Sequence, residues 1–289
     1  MTNTPAPILN LGEANTLAFN LSHAPWTTQG VRCVVSGTPG SGKSHLMAVM
    51  MEEVHGLGVP FCVVDPDGEH RSLCELVNVT RVEVATDDFS GEWIDDALYL
   101  LDQGGGVVLD LAILDEERQR DCYAWFARRL LDSQRRQARP QAMFLFVEEV
   151  HIFAPQKMVR GARDATAVTK SIARRGRKFG VNTVMGSQRP GDVEKDILGQ
   201  SNVRFFGRIE IKLDYQAIQT YLPGSVSLRT LRDLETGEFF LSMSGRLTRV
   251  HIRARRTSDM SPTPQIAVRQ RSIFELIDAP ESVRSARCK

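Results

Sequence analysis

Short apolar runs alternate along this chain with longer stretches in which apolar residues recur every three or four positions. That is the rhythm of strands and amphipathic helices following one another in a mainly parallel α/β sheet. The runs predict strands over 31–36, 60–64, 80–84, 106–111, 142–147, 181–187, 203–209, 238–243 and 247–252. Helices are predicted over 43–57, 91–103, 116–137, 165–178, 193–200, 215–221 and 227–234. Pro140 marks a stop before the run at 142–147, and the last two strands read as a hairpin turned at Ser244-Gly245. The first thirty residues carry ILNLG and TLAFNL, a short β element ahead of the main sheet. The chain thus divides into an N-terminal β element (1–30), one α/β domain (31–257) and a tail (258–289). The tail contains Pro, Arg and one apolar stretch, SIFELI, which packs on the domain or reaches a neighbouring subunit. There is no repeat of solenoid length and no low-complexity block.

Composition narrows the class without naming a function. The chain has 289 residues, 42% of them hydrophobic and 25% charged, enough for one large α/β core. Net charge is +1, so any surface for nucleic acid must be local. No apolar run reaches the length of a membrane span, and MTNTPAPILN lacks the basic region and long apolar stretch of a secretory signal. Both point to the cytoplasm. Cys33, Cys62, Cys74, Cys122 and Cys288 are scattered with no CxxC spacing, which favours reduced thiols acting as small core residues over a zinc site.

The most specific signal is VVSGTPGSGKS. Gly37, Gly42, Lys43 and Ser44 fit GxxxxGK[ST] between a predicted strand and a predicted helix. Phosphates need backbone N–H donors at close range, so glycine stands where a Cβ would intrude, and the helix N-terminus adds its positive end. The loop Gly37, Thr38, Pro39, Gly40, Ser41, Gly42, Lys43, Ser44 and His45 is the expected nucleotide cradle. Lys43 is expected at the β/γ phosphates of ATP and Ser44 at Mg²⁺.

Such a site also needs an acid for Mg²⁺ and a group that positions the attacking water. Two strands could supply them. One ends in Asp110 (GVVLDL); the other, FLFVEEVHIF, runs straight into Glu148 and Glu149. Only the second offers two acids in succession. Neighbouring side chains of a strand point to opposite faces, so a turn at the strand end must present both to one site. Glu148 is then expected to hold Mg²⁺ and Glu149 to polarise water. His151, two residues on, reads as a hydrogen-bonded or packed histidine, since no partners have metal-site spacing.

Taken together, these motifs resemble the HerA-type ATPases of the HerA–FtsK superfamily. The resemblance runs from Val31 to about Thr257. It is carried by GTPGSGKS, VVDPDGEH, GGGVVLDLAIL, FLFVEEVHIFAP, IARRGRKFGVNTVMGSQRP, ILGQSNVRFFGRI and LRDLETGEFFL. Two departures stand out. Glu148 stands where the family usually has a Walker B aspartate, and from length the N-terminal barrel that serves the family as a docking platform is expected to be missing or reduced to about thirty residues.

The resemblance implies a RecA-like P-loop core in a hexameric ring that hydrolyses ATP and moves along duplex DNA as a translocase or helicase, often with a nuclease or other effector. It implies Gln188 as a sensor at the end of the strand VNTVMGSQ, and Asp65 as an acid near the nucleotide. Among Arg174, Arg175 and Arg177 it implies an arginine finger entering the neighbouring subunit's site, Arg177 first and Arg174 next. Lys157, Arg160 and Arg163 lie in a polar, Gly-containing stretch and are the candidates for contact with the phosphates of DNA. Aromatic residues do not interleave with these charges, so a stacking platform for single strands is not indicated. Two other readings stay open at this level: a scaffold ATPase that assembles an effector such as an antiviral nuclease, and a viral or plasmid packaging or transfer ATPase.

Overall fold

A computed structural model describes residues 8–12, 18–20, 29–86, 88 and 90–258. Two short strands, β1 (Ile8–Asn10) and β2 (Ala18–Asn20), pair antiparallel where the N-terminal β element is expected. The phosphate-loop strand β3 (Arg32–Ser36) leads into helix α1 (Lys43–Gly56). Then come β4 (Phe61–Asp65), β5 (Val79–Glu83), α2 (Glu92–Asp102), β6 (Gly106–Asp110) and α3 (Glu116–Arg136). β7 (Met143–Val147) is followed by the single turn α4 (Val150–Phe153), α5 (Ala162–Arg175) and β8 (Val181–Ser187). The chain closes with α6 (Lys195–Gln200), β9 (Val203–Phe206), α7 (Lys212–Ile218), α8 (Leu228–Arg232) and the hairpin β10 (Glu238–Met243) and β11 (Arg246–His251).

Among the described residues nine strands form one sheet in the order β11-β10-β9-β3-β8-β7-β4-β6-β5. From β9 to β5 all pairs are parallel; β10 runs antiparallel to both β9 and β11. The uninterrupted apolar runs have a physical cause, because a sheet covered on both faces buries every residue of its central strands. Successive residues divide between two cores. Val34, Val64, Leu109, Leu145 and Met185 pack with α2, α3 and α5 on one face. Val35, Val63, Val108, Phe146 and Val184 pack with α1 on the other.

This order puts β8 between the phosphate-loop strand β3 and β7. The carboxyl ends of β3, β8 and β7 therefore lie side by side and deliver Gly37, Gln188 and Glu148-Glu149 to one edge.

Some boundaries differ from the predicted ones for local reasons. β9 stops at Phe206 rather than 209, because the Arg208 carbonyl turns to accept the Thr38 N–H at 2.8 Å. α5 begins earlier than the predicted 165, opened by Gly161 at a φ of 74°. It gives way after Arg175 to a 3₁₀ turn, Gly176–Phe179. The single turn α4 and the 3₁₀ turn Arg71–Glu75 are too short for periodicity to register. The Ser244-Gly245 turn is as expected, with both residues at positive φ. The SIFELI stretch and Cys288 lie outside the described residues.

Candidate functional site

The phosphate loop is held from outside as well as by its own backbone. Gly37 donates to the Ser187 carbonyl at 3.3 Å, the Ser41 carbonyl accepts from Gly237 at 3.0 Å, and the Gly40 carbonyl accepts from the Thr236 hydroxyl at 2.8 Å. Gly42 adopts a φ of 93°, and a Cβ there would stand 3.0 Å from the Gly237 nitrogen, so a side chain would strain the loop and push it off its support. Above the loop is a cavity of about 310 Å³. Thr38, Pro39, Gly40, Gly42, Lys43, Ser44 and His45 form one side of it, and Glu69, Gln188 and Arg255 line the rest. Ser41 is fully buried and does not line the cavity.

Lys43 is buried and its ammonium meets both glutamates, Glu148 Oε2 at 2.5 Å and Glu149 Oε1 at 2.9 Å. Its Nζ also donates to Ser44 Oγ at 3.3 Å. Strand alternation is overcome by backbone geometry: Glu149 sits in the left-handed region at φ 44°, ψ 50°. That conformation costs a non-glycine residue about 1 kcal/mol or more. It turns Glu149 back toward the face that Glu148 already occupies. Gly186, on the neighbouring strand β8, leaves the room, since a Cβ there would come within 2.8 Å of Glu148 Oε2.

Each carboxylate has a second anchor. Glu148 Oε1 is 2.9 Å from Nε2 of the buried His70. Glu149 Oε2 accepts the Gln188 backbone N–H at 3.1 Å and lies 3.2 Å from His151 Nδ1. Glu149 Oε1 faces Lys43 as an ion pair and accepts no well-directed hydrogen bond. Burial pushes the Glu148 carboxyl up, but Lys43 and His70 outweigh it and hold it well below the usual carboxylate range. The same opposition leaves Glu149 lowered, through His151 and Lys43. Burial opposes the charge on Lys43 too, and the two glutamates overcome it and raise its pKa. His70 is likewise raised, its desolvation outweighed by the bond to Glu148 and by Asp65.

Asp65 is near the site but its oxygens are taken. Oδ1 accepts from the Gly68 and Glu69 N–H groups at 2.8 and 3.1 Å, and Oδ2 from the His70 N–H at 2.8 Å. It shapes the DPDGEH turn that aims His70 at Glu148. His70 is the site residue that sequence reasoning passed over, although it lies in a stretch singled out for its acids. Asp67 was also missed. Its side chain reaches solvent, yet partial desolvation and the charges of Glu149, Glu69 and Asp65 push it up to about 6, with Lys43 opposing.

The competing acid Asp110 belongs to another network. Its Oδ2 accepts from Arg71 Nε and Arg81 Nε, both at 2.7 Å, and its Oδ1 from the Ala112 N–H at 3.1 Å.

The predicted arginines lie away from this edge. Arg177 is exposed, with its Cβ 3.1 Å from where a Cβ on Gly30 would stand. That is the amino end of β3, about five strand residues or some 17 Å from the phosphate loop of the same chain. Arg174 is also exposed and pairs with Asp196 at 2.6 Å. Lys157, Arg160 and Arg163 are exposed on and beside the loop before α5, with Arg160 3.2 Å from Glu117. The structure brings none of these five to the Lys43–Glu149 cluster.

The residues present fit a nucleoside triphosphate: a loop with glycines in left-handed conformations, a buried lysine, and a cavity above them. Ser44 and Glu148 offer the oxygen ligands a hard divalent cation takes. Among the described residues no helix is long and apolar enough to cross a membrane.

No family model matches the chain. A stretch of 67 residues is 46% identical to the DNA double-strand break repair helicase HerA of Pyrococcus furiosus, covering 23% of this chain and 12% of that protein. The matched stretches span 12%, 15% and 22% of three curated relatives, all named HerA. Among solved structures, VirB4 of Thermoanaerobacter pseudethanolicus aligns with a TM-score of 0.66 at 14% identity, over 86% of this chain and 96% of that one. The genome packaging NTPase B204 of Sulfolobus turreted icosahedral virus 2, in complex with ATPγS, aligns with a TM-score of 0.53 at 14% identity, over 75% and 95%. Fold and site define a P-loop NTPase core with a mostly parallel sheet. Within that class, the partial sequence matches make stretches of this chain similar to the HerA proteins.

Proposed function

We propose that this chain hydrolyses ATP as a subunit of a hexameric, cytoplasmic ring that translocates duplex DNA. The observation that carries the ATPase half is the convergence of Lys43, Glu148 and Glu149 at the mouth of the phosphate loop. Without nucleotide, Lys43 neutralises the two acids. A polyphosphate entering the loop offers Lys43 a stronger set of partners, and its departure frees Glu149 Oε1. Glu149 Oε2 stays held by Gln188 N–H and His151. The oxygen that faces the reacting phosphate is therefore Oε1, ionised at neutral pH and positioned to polarise water. Mg²⁺, held by Ser44 and Glu148 when bound, would supply neutralising charge at the phosphates.

The DNA half is supported by the local identity with HerA and by the exposed cations Lys157, Arg160 and Arg163. ATP turnover measured with and without duplex DNA tests it. Stimulation is expected, weakening steeply with salt. Changing the three cations together to Ala should shrink the stimulation and flatten the salt slope. A ring whose turnover ignores DNA and responds instead to a partner protein would overturn translocation in favour of a scaffold.

A further inference from the structure

After β11 the chain returns across α1 as a strap, residues 252–258, carrying Arg253, Arg255 and Arg256. Two of the three arginines are committed to a buried acidic pair. Arg253 Nη2 lies 3.0 Å from Glu52 Oε2 and 2.8 Å from Glu53 Oε1; Arg256 Nη2 lies 2.8 Å from Glu53 Oε1. Glu52 Oε1 also accepts from the N–H groups of Arg256 and Thr257 and from the Thr257 hydroxyl, at 2.6, 2.8 and 3.0 Å. These charge-assisted bonds to two buried carboxylates give the strap a defined seat.

Arg255 is different. Among the described residues it makes no ion pair within 4.0 Å; its donors go to hydroxyls, Ser72 Oγ at 2.7 Å and Thr257 Oγ1 at 2.9 and 3.1 Å. It also lines the cavity above the phosphate loop, with Ser44, His45 and Gln188. The strap backbone touches the loop's own helix there, the Arg253 carbonyl accepting from His45 Nε2 at 2.9 Å. A guanidinium satisfied only by neutral hydroxyls, on a strap fixed by its neighbours, stands ready to exchange them for an anion. The ordering cost of that exchange is already met by the strap.

We propose that Arg255 is a ligand of the bound nucleotide's polyphosphate in the same subunit, making the post-hairpin strap a wall of the nucleotide site. This rests on the phosphate loop being a nucleotide site, as inferred above. It adds a cation supplied in cis, distinct from any arginine a neighbouring subunit contributes.

The experiment measures binding of a fluorescent ATP analogue with Mg²⁺, and its displacement by ATP and by inorganic tripolyphosphate, in the parent protein, Arg255→Ala and Arg255→Lys. Tripolyphosphate carries the phosphates and neither sugar nor base. Loss of one charge-assisted contact should weaken ATP and tripolyphosphate alike, by about tenfold in Arg255→Ala. Arg255→Lys should recover part of that, and the melting midpoint without nucleotide should stay near the parent's. Should Arg255→Ala melt early, Arg255→Lys carries the comparison, with a several-fold loss for both ligands still expected. Unchanged binding of both ligands in Arg255→Ala would overturn the assignment. So would a loss for ATP alone, which would move the contact to the sugar or base. A parent protein that binds neither would overturn the nucleotide-site reading itself, and the role of Arg255 with it.

Discussion

β6 and β7, two strands of the same sheet, both lead into acids, and those acids have opposite fates. β6 and β7 are both buried along their whole length, and by sequence either could face a phosphate loop. Asp110 is closed off by the chain's own arginines, Arg71 and Arg81. Glu148 and Glu149 meet two histidines and a lysine that itself lines a cavity. A saturated carboxylate holds structure together. A carboxylate whose cation can be drawn away by a phosphate has chemistry left to do. The difference comes from strand order, because β7 lies one strand from β3 and β6 lies beyond both β7 and β4.

If the β7 end is the one left for an arginine from outside to complete, the largest effect should come from that arginine. Arg177→Ala is expected to slow ATP turnover by roughly three orders of magnitude or more. Mixed with a Glu149→Gln protein, itself inactive, it should recover turnover at interfaces that pair a good finger with a good acid. No recovery in rings shown by size to be mixed would pass the role to Arg174 or Arg175. Glu149→Gln alone should bind ATP normally and hydrolyse it about 10²–10⁴-fold more slowly. The same phenotype in Asp110→Asn would invert the comparison and move the catalytic acid to β6.

Asp110→Asn should instead show itself in stability. We expect a loss of about 2 kcal/mol, a fall of several degrees in melting midpoint, with turnover per folded molecule unchanged. Burial raises the Asp110 carboxyl, but Arg71, the Ala112 N–H and Arg81 outweigh it and the net shift is down. Its contribution is therefore present above the unfolded value near pH 4 and fades as pH falls through the lower folded value. Melting curves of parent and variant should converge in acid. Convergence on the alkaline side would contradict the ion-pair account.

The smallest effect concerns Asp67, whose carboxyl is pushed up to about 6. The folded protein then holds a proton there that the unfolded chain has lost, so stability declines as pH rises from about 4 to 6. Asp67→Asn should make the nucleotide-free protein slightly more stable at pH 7. Solvent screening keeps the gain under about 1 kcal/mol, and it should vanish below about pH 4. A variant less stable than the parent at pH 7 would show that Asp67 is not crowded by the site's negative charge.

Much of this was legible in the amino-acid order, and for identifiable reasons. A phosphate loop is a local object, so glycines at set spacing between strand and helix reveal it. The hairpin turn at Ser244-Gly245 is equally local. The side-by-side glutamates announced a site, yet alternation along a strand argued against both facing it. Only the left-handed backbone at Glu149 removed the objection. His70 gave no signal because a lone histidine in a turn has many uses, and its use depends on Glu148, 78 positions on.

The sequence by itself determined the βα rhythm, the glycine-rich loop at Gly37–His45 and the acidic strand end at Glu148-Glu149. These depend on interactions within a few residues, or on a periodicity repeated along each element. Tertiary structure decided which acids pair with the loop lysine and which acid is held by arginines. Asp110 is claimed by arginines 39 and 29 positions away, and Arg255 reaches the cavity after bonding to Ser72, 183 positions before it. A side chain's chemistry is set by the charges within a few ångströms, and in a parallel sheet those come from strands that the chain order keeps far apart.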